Sequence, residues 1–155
     1  MHYDPKTTLQ VERRFAVSAP TLWRCLTEPD LIQKWFAPQS VVTRDVVFEA
    51  WAGGSFRSVM EVPGMGEMPG HGCVLLAEPW KRLIWTDLMR GGWQPNAEGL
   101  GFIAIMDLIE EAGGTLYRAT ALHGTETKRA EHERMGFHQG WGQAADQLGA
   151  LALTL

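Results

Sequence analysis

Hydrophobic and polar residues alternate in seven segments, a pattern that predicts β-strands. The first is residues 8–17, where Leu9, Val11, Phe15 and Val17 share one face that Arg13 interrupts. Six more follow after residue 39, rich in β-branched and aromatic residues and bounded by Gly or Pro: 40–50, 55–62, 72–78, 82–89, 102–111 and 115–123. Short connections between successive strands predict an antiparallel meander, with a longer loop at 90–99.

Helical patterns occur after the first strand and at the C-terminus. Ser18 followed by Pro20 is a helix start that predicts a short helix through Leu26, and 29–36 predicts a second one ending at Pro38. From Thr125, a plausible N-cap, the chain contains no proline, and its period predicts one helix over about 127–153.

A helical wheel centred on Trp141 places Arg134 and His138 on the stripe that would face the sheet. The same wheel places His132 on the opposite side, which predicts a surface position. Because charged groups are rarely buried without partners, we expect Arg134 and His138 to pair with an inward carboxylate or to orient the polar head of a ligand at a cavity mouth. The alternative is that the first helical turns overhang the sheet and both side chains reach solvent.

These elements predict an α+β fold. A curved seven-stranded antiparallel sheet has one apolar face to cover, and the terminal helix is the only element long enough to cover it. Incomplete closure of the sheet on this helix would leave a cavity between them. A length of 155 residues predicts a single domain over 1–155.

Composition narrows the class of protein. Hydrophobic residues make up 45% and charged residues 21%, and the net charge is −4 with scattered basic residues, which argues against nucleic-acid binding. No signal peptide or membrane span is predicted, and two isolated cysteines do not suggest an oxidising compartment. We therefore expect a cytoplasmic protein. Seven tryptophans and seven methionines against two tyrosines indicate either plain core packing or an adaptable apolar cavity.

Three stretches resemble a known family. They are FAVSAPTLWRCLTEPDLIQKWFAP (15–38), GGSFRSVMEVPG (53–64) followed by GCVLLAEPWKRLIWT (72–86), and HERMGFHQGWGQAADQL (132–148). In order and extent they resemble the activator-of-heat-shock-protein-90-ATPase-like proteins of the START/SRPBCC superfamily. The resemblance implies the helix-grip fold, with two short helices after strand 1 and an apolar pocket between sheet and C-terminal helix. It does not imply that this chain contacts that chaperone, since fold does not settle function.

The candidate ligand-binding residues combine the wheel, the strand alternation and the resemblance. The resemblance favours inward positions for Phe56, Met60 and Trp85, and Trp35 with Phe36 would close one end of the cavity. For each aromatic residue plain packing is the alternative, and for Arg118 it is a salt bridge. The predicted ligand-binding residues are Trp35, Phe36, Phe56, Met60, Trp85, Met106, Arg118, Arg134, His138 and Trp141.

Metal, cofactor and nucleophile patterns are weak. His132 and His138 lack the i, i+4 spacing of a zinc motif, and no glycine-rich phosphate loop or Gly-x-Ser-x-Gly elbow occurs. A Cys–His nucleophile pair of Cys73 and His71 is conceivable, but we interpret the proximity of the two residues in the sequence as accidental. We therefore expect no metal, no cofactor and no catalytic residue.

Three functions remain open. The first is a binding protein for a small apolar molecule, lipid or aromatic. The second is a stress-response or chaperone-associated interaction module, for which Trp51 and Trp93 would supply an exposed patch. The third is an enzyme that uses His138 as acid or base on an apolar substrate. A homodimer is a further alternative, for which the sequence identifies no interface.

Overall fold

The computed structural model describes residues 2–155. The chain forms nine strands and four helices in this part. In order they are β1 (Thr8–Phe15), α1 (Ala19–Thr27), α2 (Pro29–Trp35), β2 (Val42–Phe48), β3 (Ser55–Val62), β4 (Gly66–Glu78), β5 (Arg82–Thr86), β6 (Met89–Arg90), β7 (Gln94–Pro95), β8 (Phe102–Glu111), β9 (Gly114–His123), α3 (Glu126–Arg134) and α4 (Phe137–Ala152). None of these helices is long and apolar enough to cross a membrane.

Seven of the strands form one antiparallel sheet in the order β1-β9-β8-β5-β4-β3-β2. The predicted α+β architecture with a seven-stranded antiparallel sheet is confirmed. Irregular register between Arg44 and Val47 in β2, and between Val74 and Leu76 in β4, adds local bends. A small separate ribbon of β6 and β7 overlaps the segment predicted as a loop at 90–99.

β4 begins earlier than the alternation pattern predicted. Pro69 and Gly70 precede the predicted strand at 72–78 but lie inside β4, opposite Val59 and Ser58. Over residues 66–72 the strand pairs only with β3, because β5 joins it first at Cys73. A proline is tolerated there since one side of the strand has no ladder to complete.

The two short helices begin as predicted. The Ser18 hydroxyl accepts a hydrogen bond from the Thr21 N–H at the start of α1, and Pro20 occupies its first turn. Trp35 at the end of α2 donates its indole N–H to the carbonyl of Cys25 at 2.8 Å. This bond joins α2 to α1, and both helices also pack against α4.

The core lies between the inner face of the sheet and α4. Inward residues of the helix recur with helical spacing: Phe137, Ala144, Ala145, Leu148 and Ala152. They pack against the buried, inward-facing residues of the seven-stranded sheet, including Leu9, Trp85, Ala104 and Tyr117. Burial of this continuous apolar surface is the main stabilising contribution to the fold.

The C-terminal helix is interrupted, which corrects the prediction of one helix over 127–153. Gly136 adopts φ +93 between α3 and α4. The Gly136 N–H donates to the carbonyl of Glu133 at 3.0 Å. A glycine in the left-handed conformation after a helix is a common helix terminator, because a residue without Cβ adopts it freely.

Gly136→Ala is therefore expected to lower the free energy of unfolding by about 1–2 kcal/mol, since a Cβ is disfavoured at this φ. Gly140→Ala is the matched control. It lies inside α4, its added Cβ would meet no atom within 4 Å, and it should raise stability by about 1 kcal/mol. Urea unfolding of both variants measures the two signs. Equal effects would contradict a special role for the Gly136 conformation.

Candidate functional site

A largely apolar cavity of about 390 Å³ lies between the inner face of the sheet and the helices. Its walls come from the end of α2, from β3, β4, β5, β8 and β9, and from α3 and α4. Buried side chains form the interior, among them Phe56, Trp85 and Tyr117. Exposed lining residues, Met68 and Leu100, mark the mouth.

The cavity exists because small residues stand where larger ones would fill the space. Gly72 and Ser58 lie on the inner face of β4 and β3, and Gly140 and Ala144 lie on the facing side of α4. At Gly140 an added Cβ would meet nothing within 4 Å, so open space begins directly at the helix backbone. The small residues on both walls thus leave part of the space between sheet and helix unfilled.

One side of the cavity is a chain of aromatic rings in edge-to-face contact. Ring centroids are 5.1 Å apart between Phe36 and Phe56, 4.8 Å between Phe56 and Trp85, and 5.5 Å between Trp85 and Phe102. Phe102 continues to Trp141 on α4 at 5.6 Å. Interlocked rings of this kind hold one another in place, so the wall presents a rigid apolar surface.

Two buried histidines form the polar centre beside this wall. His132 on α3 is 7% exposed and lines the cavity. Its Nδ1 lies 2.9 Å from Nε2 of His123 on β9. Nδ1 of His123 in turn lies 2.9 Å from the carbonyl oxygen of Thr7. The pair therefore connects α3 to β9 through side chains and, through the Thr7 carbonyl, to the segment before β1.

The environment of His132 disfavours its protonated form. Burial, reinforced by the neighbouring His123, lowers the pKa of His132 to about 4, and Asp87 opposes this shift. The aromatic rings of Phe102, Phe137 and Trp141 surround it at centroid distances of 5.1, 5.2 and 5.8 Å. At neutral pH the ring is an uncharged hydrogen-bonding group in an apolar setting.

Asp87 is a buried acidic residue of the wall. Its carboxylate accepts hydrogen bonds from the backbone N–H groups of Leu100, Gly101 and Phe102, at 2.6, 3.1 and 3.0 Å for the shortest contact of each. These bonds fasten the segment before β8 to the end of β5. Since Leu100 stands at the mouth, Asp87 shapes the cavity entrance.

Most of the predicted ligand-binding residues line the cavity, and their role in binding stays a prediction. They are Trp35, Phe36, Phe56, Met60, Trp85, Met106 and Trp141. The inward orientation expected for Phe56, Met60 and Trp85 agrees with their places on the wall. Trp35 and Phe36 lie together at the α2 end.

Three polar candidates lie elsewhere, so their expected inward orientation is wrong. Arg118 is on the outer face of the sheet and donates to Glu12 on the neighbouring strand at 3.1 Å, the salt-bridge alternative. Arg134 is exposed on α3. His138 is exposed and bonds Glu133 at 3.1 Å, so it does not reach a ligand in the cavity as acid or base.

The surface position predicted for His132 is also wrong. This error and the error for Arg134 have one cause. The wheel assumed an unbroken 100° advance per residue, whereas Gly136 interrupts the helix and changes the phase of α3 relative to α4. The break turns His132 inward and leaves Arg134 outside. Gly136, following His132 and Arg134 at a helix end, was the available sequence signal.

The possible metal ligands of residues 2–155 are dispersed, and both thiols are buried. Within that range no three His, Cys, Asp or Glu side chains are grouped so as to hold a metal ion. Cys25 and Cys73 are buried and free. Burial raises the pKa of the Cys25 thiol, which disfavours the reactive thiolate.

The architecture, a curved antiparallel sheet holding a C-terminal helix over an internal cavity, is that of helix-grip proteins. The chain belongs to the family described as Activator of Hsp90 ATPase homolog 1-like protein, whose model matches residues 16–152. This confirms the resemblance seen in the sequence.

Solved structures of bacterial proteins share the whole fold. A protein from Nitrosomonas europaea is 36% identical over 99% of each chain, with a TM-score of 0.93. A protein from Rhodobacter sphaeroides is 25% identical over 99% of this chain and 97% of its own, with a TM-score of 0.83. An AHSA1-like protein from Aeromonas hydrophila, at 18% identity, covers 95% and 92% with a TM-score of 0.73, which shows the fold alone. No curated protein matches this chain.

Proposed function

We propose that this protein binds a small, mainly apolar molecule in the cavity between the sheet and α4, without catalysis. The observation that carries the proposal is the cavity of about 390 Å³, a size within the roughly 300–1,000 Å³ typical of small-ligand sites. Its small-residue rows and rigid aromatic wall keep this space open. A pKa of about 4 makes His132 a weak base, which favours a binding role over acid–base chemistry.

Apolar burial supplies enough free energy for such binding. Each ligand CH₂ removed from water contributes about 0.8 kcal/mol, so a ligand of six to eight such groups gains roughly 5–6 kcal/mol before the cost of association. One hydrogen bond to a cavity residue adds about 1 kcal/mol, so a gross gain of about 6–7 kcal/mol corresponds to a dissociation constant no tighter than about 10 μM. We therefore expect weak to moderate affinity for compounds of this size.

The experiment is titration with N-phenyl-1-naphthylamine, a dye whose fluorescence rises in apolar surroundings, followed by its displacement with aromatic, fatty-acid and isoprenoid compounds. Mass spectrometry of molecules that copurify with the protein identifies natural occupants. Saturable dye binding that apolar compounds reverse supports the proposal. The absence of both dye binding and displacement contradicts it.

Gly140→Leu is expected to weaken dye binding by about tenfold or more while leaving the fold intact. The leucine side chain enters the cavity, because open space begins at this backbone position. It also replaces a glycine inside α4, so the free energy of unfolding should rise by about 1 kcal/mol. Fluorescence titration and urea unfolding of the same preparation measure both quantities.

Gln143→Leu is the matched control for that variant. Gln143 is exposed on the same helix and outside the cavity, so the added leucine should leave dye binding unchanged. Loss of binding in both variants, or in neither, would place the dye somewhere other than the cavity.

An interaction module is the second candidate, favoured by exposed tryptophans. Trp51 and Trp93 are 59% and 52% exposed, and the Trp93 indole lies over the backbone of Gly53 between them. Exposed tryptophans are common at protein contact sites. A pull-down whose yield is unchanged by Trp93→Ser would count against this surface, and cavity variants would leave such a partner bound.

A further inference from the structure

The two histidines at the cavity have a fixed direction of hydrogen bonding. A carbonyl oxygen only accepts, so the contact with Thr7 places a proton on Nδ1 of His123. With that ring neutral, its Nε2 is an acceptor, and Nδ1 of His132 must donate to it. In a neutral His132 this leaves Nε2 without a proton and with a free lone pair.

Nε2 of His132 has no hydrogen-bond partner among residues 2–155. Three side-chain atoms of these residues are fully buried without a partner, Thr8 Oγ1, Thr43 Oγ1 and Gln147 Oε1, and Nε2 of His132 is not one of them. His132 lines the cavity, its Nδ1 is held by His123, and aromatic rings pack around it. Its Nε2 therefore remains to face the cavity interior. A buried acceptor without a donor is unfavourable until a ligand or water supplies one.

We propose that Nε2 of His132 accepts a hydrogen bond from a hydroxyl or N–H group of the ligand. The ligand class is a neutral, mainly apolar molecule with one donor, such as a phenol, an alcohol or an N–H heterocycle. This inference rests on the proposed function and names the chemistry of its ligand. His132 is here a binding residue for the polar end, and the aromatic wall receives the apolar remainder.

The charges around the cavity favour a donor over an anionic head group. No lysine or arginine is among the described lining residues, whose other titratable members are His71, Asp87 and Tyr117. Burial raises the pKa of Tyr117, so its hydroxyl stays neutral. The Asp87 carboxylate already accepts backbone N–H groups and adds negative charge. A ligand carboxylate would meet an acceptor on His132 and a like charge on Asp87, so fatty acids should bind poorly through their head groups.

Three probes of one ring system test the proposal at pH 7: 2-naphthol, 2-methoxynaphthalene and 2-naphthoate. They present a donor, an acceptor without a proton, and an anion. We expect 2-naphthol to bind about tenfold more tightly than the ether by calorimetry, and 2-naphthoate to bind more weakly than either. Equal binding of naphthol and ether, or tighter binding of naphthoate, overturns the inference.

His132→Phe keeps an aromatic ring but removes the acceptor. In this variant the preference for naphthol over the ether should fall to about one, with the ether bound as in the unchanged protein. His138→Phe is the matched control, since His138 is exposed outside the cavity, and it should retain the preference. A preference that survives His132→Phe would overturn the inference.

A ligand-free measurement separates failure of this inference from failure of the proposed function. Nitrogen-15 NMR of the imidazole groups at pH 7 should show His132 as the Nδ1–H tautomer. An Nε2–H tautomer contradicts the inference alone and does not depend on how well His132→Phe folds. The expected tautomer without binding of any probe or dye contradicts the proposed function, and the inference falls with it.

Discussion

Acidification from pH 6.5 to pH 4 should lower the free energy of unfolding by about 3 kcal/mol through His132 alone. The pKa of this residue falls from 6.5 to about 4 on folding, and each pKa unit corresponds to about 1.4 kcal/mol. Between these values the unfolded chain binds the proton and the folded chain does not. The contribution of neutral His132 is therefore complete above pH 6.5 and is lost as the pH falls towards 4.

Urea unfolding of the unchanged protein and of His132→Gln between pH 7 and pH 4 measures this contribution. Glutamine does not titrate, and its amide can donate to Nε2 of His123 as His132 does. The groups facing His132 from other elements, His123 and Asp87, remain in both proteins, so their effects largely cancel. The unchanged protein should lose about 3 kcal/mol more than the variant. Parallel pH profiles would contradict burial of a neutral His132.

Asp87→Ala should destabilise the protein by about 3 kcal/mol, a comparably large effect. The variant leaves three backbone N–H groups without their carboxylate partner, and hydrogen bonds to charged groups contribute about 1.5–3 kcal/mol each. Water reaches part of this exposed segment, which limits the total to less than the sum. The segment carrying Leu100 should loosen, and ligand affinity should fall with it.

Hydrogen exchange at the amides of Leu100, Gly101 and Phe102 reports directly on the segment that Asp87 holds. These amides should lose protection in Asp87→Ala. Asp146→Ala is the control, because it removes only an exposed ion pair with Arg13 and should cost under about 1 kcal/mol. Unchanged protection in Asp87→Ala would contradict the role assigned to the carboxylate.

Local pattern was sufficient for most of the elements. The strands at 55–62 and 102–111 coincide with β3 and β8, and Ser18 and Thr125 cap helices as expected. Alternation, caps and terminators act within a few residues, so the sequence reports them directly. The strand predicted at 72–78 was too short, because Pro69 is tolerated in a strand that lacks one neighbour and strand pairing is a tertiary property.

The apolar part of the candidate site could also be predicted, since large aromatic residues such as Phe56 and Trp85 alternate with polar ones on strands whose inner face the resemblance indicated. The polar part of the site could not be predicted. The partner of Arg118 is Glu12 across the sheet, and the two residues are distant in sequence. The inward face of β9 carries Tyr117, Ala119 and Ala121, which places Arg118 on the other face.

The sequence by itself determined the strands, the helix boundaries set by caps, and the apolar character of the region around the terminal helix, because each follows from short-range periodicity. Only the tertiary structure decided which polar group reaches the cavity. One glycine in the left-handed conformation changes the direction of the chain after α3, and His123 on a separate strand captures His132. A helical wheel assumes one unbroken helix and so omits the change of phase at Gly136. The contact between His123 and His132 depends on where the helix meets the sheet, which no wheel describes.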